Sequence, residues 1–270
     1  SDIEAVALCT PWRTKKINNL DLFHYIGGVP KTYIDTFYVP HHFSHMEYIA
    51  HYGNLKPGII LVIDGSGSLE EDRLLFNIKE ERHTKMIDHT HFAGKEVISA
   101  YWFDGLKSSL IYRFSPSHLI HDKCNQEGGG LHQSIGHYWE WASLYCCGSR
   151  TDAGKVMGLA AFGEKDKINK DEILSISDDG KLNLNYSHIN KIFKSPNIFN
   201  LDLSNSKHHQ NVALKVQSET ETVILKLLSI LKKKFPTDTL YFSGGVALNV
   251  VANEKIKNNN LFKNIILNGS

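Results

Sequence analysis

The run Gly58-Ile59-Ile60-Leu61-Val62-Ile63-Asp64, GIILVID, decides how the rest of the chain is read. It is apolar on both faces and ends in a carboxylate followed by Gly65-Ser66-Gly67-Ser68. A strand with one wet face alternates polar and apolar residues, so an unbroken run predicts a central strand covered on both sides. It is far too short to span a bilayer, which takes about 20 residues. In α/β sheets ligands gather at the carboxyl ends of strands, which makes Asp64 and the glycines behind it candidates for a site. The plainer alternative is an Asp that merely starts a turn.

Outward from this strand the pattern is mixed. Asp2 to Thr10 and Thr32 to Val39 read as strands. Pro40 suits a first helical turn, and the helix it opens closes at Gly53, with Phe43, Met46, Ile49 and Ala50 on one face. Glu96 to Phe103 and Ser109 to Phe114 predict a hairpin around the turn DGLK. Ser134 to Tyr145 and Lys155 to Phe162 predict helices. Residues 164–208 read as polar and irregular, with SDDGK at 177–181 as a hairpin turn. Asn211 to Lys234 carries the stripe Val212, Val216, Val223, Leu227, Leu228, Leu231 of an amphipathic helix. DTLYFSGG is strand into glycine turn, VALNVVANEKIKNN helix, and NIILNGS strand. Helices alternating with strands indicate an α/β class.

The 270 residues carry a formal net charge of +1, so nothing electrostatic favours nucleic acid or a membrane surface. No signal peptide is visible at the start, and the four cysteines follow no CxxC or secreted-framework spacing. Reduced thiols and a cytoplasmic location are therefore expected.

His41 and His45 in HHFSH are four apart and share one helical face, a spacing that lets two imidazoles bind one metal ion. His42 points about 100° away. The same pair could be exposed or core-satisfied in a chain with 15 histidines. AGKVMGLAAFG (153–163) places small residues on a helix, for close approach of a flat nucleotide or of another helix; it is not a Walker A motif. The Gly244-Gly245 turn would let a ligand touch backbone at a helix N-terminus, although an ordinary strand–helix corner also needs glycine. Gly128 to Gly130 suggest a flexible loop near a ligand, and Trp139 and Trp141 read as core.

Taken in order, HHFSH, VIDGSGS, SIGHYWEW, GKVMGLAAFG and FSGGVALNVVAN resemble the NodU/CmcH carbamoyltransferases, the O-carbamoyltransferases of nodulation factors and antibiotics. The likeness covers roughly residues 40–255 and is weak over 164–208; GKVMGLAAFG and SGGVALN are its most specific parts. It implies an actin-like ATPase (ASKHA) fold, two mixed-sheet lobes with a nucleotide cleft between them. Residues 1–56 would then be the remainder of the first lobe with the HxxxH helix, and 57–270 the second lobe with an insertion-like region.

The resemblance also implies a reaction. A separate domain makes carbamoyl adenylate from carbamoyl phosphate and ATP, and the actin-like domain passes the carbamoyl group to a hydroxyl of a small-molecule acceptor. A divalent metal, iron(II) in the best-understood type, bridges the adenylate to an HxxxH pair and two aspartates. Carried over, His41, His45 and Asp64 are three of those ligands. Gly65, Gly67, Lys155, Gly158, Gly244, Gly245 and Asn249 form the nucleotide-binding set. A homodimer is left open; nucleic acid and membrane are not expected as partners. Two alternatives stand beside this: a tRNA threonylcarbamoyl-transfer-like protein, which the near-neutral charge disfavours, and an inactive nucleotide-binding module. The family's opening glycine-rich hairpin, its later aspartate-bearing loop and the activating domain have no counterpart here. The expectation is the middle of a longer protein or a reduced homologue, its metal set one carboxylate short.

Overall fold

The computed structural model describes residues 5–9, 35–52, 56–69, 81–91, 94–116, 133–193 and 206–269. Strands β1 (Ala5–Cys9) and β2 (Asp35–Val39) pair in parallel. Helix α1 (His41–Tyr52) follows directly, then β3 (Gly58–Ile63). The main sheet has six strands in the order β10-β9-β3-β5-β6-β4, with β4 Arg82–Thr90, β5 Ile98–Phe103, β6 Ser108–Ser115, β9 Thr239–Ser243 and β10 Asn264–Asn268. β10, β9 and β3 run parallel; β3, β5 and β6 are antiparallel neighbours; β4 runs parallel to β6. This is the mixed α/β sheet that the alternation of elements indicates.

β3 shows why its sequence does not alternate. Ile60 and Val62 pack with Met46, Ile49 and Ala50 of α1 on one side. Ile59, Leu61 and Ile63 face the large core on the other, with helices α2 (Ile135–Cys147), α5 (Ser206–Lys234) and α6 (Val250–Asn258). Every residue of β3 is buried. Full burial of one such aliphatic side chain stabilises by about 1.5–3 kcal/mol, so the strand anchors both layers.

Local signals set the helix ends. Ser134 caps α2 by accepting from the His137 N–H at 3.0 Å, and Gly148 ends it in the left-handed region at φ 76°. Asn249 caps α6, accepting from Ala252 N–H at 2.9 Å. That cap makes Gly245–Leu248 a separate 3-10 turn, so the helix expected from Val246 begins at Val250. α3 spans Ala153–Ala160.

Two sequence expectations need correction. Residues 164–193 are not an irregular excursion. They form a hairpin, β7 (Leu174–Ile176) with β8 (Leu182–Leu184) around the expected 177–181 turn, followed by helix α4 (Tyr186–Phe193). Ile173, Leu174, Ile176, Leu182 and Leu184 are buried in the main core. A polar hub ties this segment to α5: Lys215 donates to the Asn169 and Asp171 carbonyls and to Glu219, while Glu219 accepts from Ile173 N–H, Leu174 N–H and the Tyr138 hydroxyl. Short polar stretches hid the few apolar residues that do the packing. The second is β4, which the sequence did not suggest; as an edge strand it is only half-buried and lacks alternation. Expectations on residues 2–4, 10, 32–34, 53 and 128–130 lie outside the described residues. Among those described, no helix is long and apolar enough to cross a membrane.

Candidate functional site

β3 and β9 are parallel neighbours, in register at Val62 and Ser243, so their carboxyl ends emerge side by side. Asp64 leaves one and Gly244 the other. Gly244 sits at φ 90°, and a Cβ there would lie 2.4 Å from the Ile63 carbonyl oxygen, so the corner requires glycine. A Cβ on Gly245 would lie 3.0 Å from Asp64 Oδ1, leaving backbone directly beside the carboxylate.

α1 docks over these strand ends and brings its histidines to the same place. His41 Nε2 is 2.9 Å and His45 Nε2 3.4 Å from Asp64 Oδ2. One donor atom from each of the three residues lies within 4.8 Å of the others. The imidazoles meet edge to face with centroids 4.7 Å apart. Ser243 Oγ is 3.5 Å from His45 Nδ1, on the ring edge away from Asp64. Burial favours the neutral carboxyl at Asp64, but hydrogen bonds from His41, His45 and the Gly65 N–H outweigh it and hold the group well below the usual carboxylate range. Two imidazole nitrogens and one ionised oxygen, partly open to solvent, suit a borderline divalent cation such as iron(II) or zinc.

Beside this triad is a cavity of about 370 Å³. Asp64, Gly65 and Gly245 form its floor, Trp139, Met157 and Leu248 its apolar walls, and Glu140 and Asn249 add polar atoms. α2 is pressed against the floor: a Cβ on Gly136 would lie 2.4 Å from Gly65 Cα.

A family model described as Carbamoyltransferase N-terminus matches residues 15–269. The chain belongs to this carbamoyltransferase N-terminal family. It is 29% identical over 140 residues to the uncharacterized protein sll1178 of Synechocystis sp. (strain ATCC 27184 / PCC 6803 / Kazusa), covering 46% of this chain and 23% of that protein. It is 22% identical over 183 residues to the nodulation protein NolO of Bradyrhizobium diazoefficiens, covering 63% of this chain and 33% of that protein. The matched region thus spans 23% and 33% of the lengths of these curated relatives.

In this carbamoyltransferase N-terminal chain the residues singled out by sequence fall into three groups. His41, His45, Asp64, Gly65, Gly245 and Asn249 converge on the triad and cavity. Asn249 does so mainly as wall: its side chain caps α6 and exchanges hydrogen bonds with Gln217 at 3.0 and 3.2 Å. Gly67 and Gly244 lie behind the floor, where their missing side chains let Glu96 and His42, or Ile63, approach. Lys155 and Gly158 do not line the cavity. Lys155 is exposed and paired with Asp152 at 2.9 Å. Gly154 and Gly158 share one face of α3 with nothing within 4 Å of a Cβ on either, so tight helix packing is not their purpose; Gly163 is the glycine packed closely, against Leu214 and Gln210.

Sequence reasoning missed α2 as a wall of the site. Gly136, Trp139 and Glu140 are three and four apart, so they face one way, and that spacing was the available signal. Trp139 is both core and cavity wall, its indole N–H donating to Thr220 Oγ1 at 3.0 Å. Burial raises the Glu140 carboxyl; the Arg150 charge opposes this and the Asp64 charge adds to it. His137, 3.0 Å from Ser134 Oγ, is pushed down to about 4 by burial together with the Lys95 and Arg150 charges, and is neutral at pH 7. His42, which shares no face with His41 and His45, is fully buried, bonds Ser99 Oγ at 2.9 Å, and is likewise lowered to about 4 by burial.

Proposed function

We propose that this chain is the cation- and adenylate-binding part of a NodU/CmcH-type O-carbamoyltransferase of actin-like (ASKHA) fold. In this reading carbamoyl adenylate, made from carbamoyl phosphate and ATP, gives its carbamoyl group to a hydroxyl of a sugar or other small natural product. The observation that carries it is the convergence of His41, His45 and Asp64 at the floor of a nucleoside-sized cavity flanked by two glycine turns. Family membership and the weak likeness to NolO support carbamoyl transfer.

The residues divide the work by chemistry. His41, His45 and Asp64 hold the divalent cation. A cation held there would supply positive charge that favours the departure of AMP. Trp139, Met157 and Leu248 offer apolar surface to the base, and the Glu140 carboxylate accepts from sugar hydroxyls. Gly65 and Gly245 let the phosphate approach main chain. The cavity lining contains two carboxylates, Asp64 and Glu140, and no lysine or arginine among the described residues. A cation held at the triad would therefore raise the affinity of this cavity for an anionic phosphate.

The test uses the protein at its natural full length. Metal analysis and calorimetric titration with a stable adenylate analogue are expected to show bound metal and micromolar-class binding, both lost in His41→Ala and after chelation. Absence of metal with both histidines intact, together with no adenylate affinity, refutes the reading.

A further inference from the structure

α1 begins Pro40-His41-His42 and has no Ser, Thr, Asp or Asn at its first boundary to cap its free N–H groups. Remote residues satisfy the first two instead. The His41 N–H donates to Ser68 Oγ at 2.9 Å, and the His42 N–H to Glu96 Oε1 at 3.4 Å. The register of the histidine helix is therefore set by groups on other elements.

Glu96 has a second set of bonds. Its carbonyl accepts from Gly67 N–H at 2.7 Å, and its N–H donates to the Ser68 carbonyl at 3.1 Å. One residue thus grips both the loop carrying Asp64 and the helix carrying His41 and His45. Its carboxylate is held from behind: Ser99 Oγ donates to Oε2 at 3.3 Å, and Arg113 Nε lies 3.5 Å from the same oxygen. Glu96 and Arg113 side chains are each 1% exposed, so neither charge is tolerable without the other. Gly67 makes room for this, since a Cβ there would lie 2.4 Å from Glu96 Cγ. A buried ion pair is costly as a stabilising device, and an apolar pair would fill the space as well. What it does here that an apolar pair would not is accept a hydrogen bond from the first turn of α1.

We infer that Glu96, paired with Arg113, is a positioning residue that sets the separation of His41 and His45 from Asp64 and thereby the affinity and geometry of the cation site. This rests on the metal reading of that triad. Groups that orient metal ligands from behind typically change metal affinity 10–100-fold when removed.

The experiment titrates the full-length protein with cobalt(II) alone and records its visible spectrum. The variant Glu96→Met/Arg113→Met removes both buried charges together, so folding is retained while the grip on α1 is lost. Its cobalt dissociation constant rises about tenfold to a hundredfold with a shifted ligand-field band, at an unfolding midpoint close to wild type. Ser99→Ala, which removes the hydroxyl bonded both to Glu96 and to His42 Nδ1, weakens cobalt by at least about fivefold, the equivalent of one ordinary hydrogen bond or more. Wild-type cobalt affinity and spectrum in either folded variant overturn the inference. Failure of the wild-type protein to bind cobalt, or equal binding by His41→Ala, overturns the metal reading and this inference with it.

Discussion

Two glycine-to-alanine substitutions should act in opposite directions, and the sign of each follows from one distance. At Gly136 a Cβ would stand 2.4 Å from Gly65 Cα and 2.6 Å from Gly65 N. Both are main-chain atoms, so no side-chain rotation relieves the contact. Overpacking of this kind costs about 1–3 kcal/mol, against a helix-propensity gain of at most about 1 kcal/mol for alanine over glycine. Gly136→Ala is expected to destabilise by about 1–2 kcal/mol. At Gly158 nothing lies within 4 Å of a Cβ, so Gly158→Ala keeps the propensity gain, up to about 1 kcal/mol. For a domain of this size 1 kcal/mol moves Tm by about 2–4 °C. Scanning calorimetry should therefore show Gly136→Ala melting several degrees below wild type and Gly158→Ala slightly above it. Because the displaced atoms belong to the turn carrying Asp64, Gly136→Ala should also weaken cation binding. A Gly136→Ala protein that melts above wild type with unchanged cation affinity would falsify the close packing of α2 on that turn.

His137 gives a pH dependence of definite sign. Its unfolded pKa is near 6.5 and its folded value about 4, so the unfolded chain takes up the proton first. The contribution is intact above about pH 6.5 and is lost as pH falls toward 4, by about 3 kcal/mol in all. His137→Asn should flatten the fall of stability between pH 7 and 5 in urea titrations, and an unchanged slope would sink the assignment. Glu219→Ala strands the buried Lys215 ammonium and the Ile173 and Leu174 N–H groups, at an expected cost of about 3–5 kcal/mol. Amide exchange should then accelerate first in the Leu174–Ile176 and Leu182–Leu184 hairpin; retained protection there counts against the hub. Asn249→Ala removes a helix cap and the pair with Gln217 and should cost at least about 1 kcal/mol, whereas Asn249→Asp keeps the cap but loses the donation to Gln217 Oε1 and should recover only part of that loss. Equal stability of the two variants would show that the cap contributes nothing.

Much of the central architecture was legible because its signals are local. The both-sided apolar run of β3, the hairpin around DGLK and the stripe of α5 each follow from spacing alone, and the structure has all three. The HxxxH spacing likewise placed His41 and His45 on one face. The 164–193 segment was misread because five or six buried apolar residues among many polar ones carry no strong period, and the hub that holds it is built by Lys215 and Glu219 from a distant helix. β4 was invisible because an edge strand buries too little to need alternation.

The candidate site divides in the same way. Sequence by itself determined which residue types could act: two imidazoles one turn apart, a carboxylate at the end of a buried strand, glycines at a strand–helix corner. Tertiary structure alone decided that these meet, since Asp64 and Gly244 are neighbours only through the parallel pairing of β3 with β9, and the histidines reach them only because α1 lies across both. It also brought Gly136, Trp139 and Glu140 to the cavity and turned Lys155 away from it. The reason is physical: propensity and periodicity act over a few residues, whereas a site is made by side chains far apart in sequence whose separation is set by packing of the whole sheet.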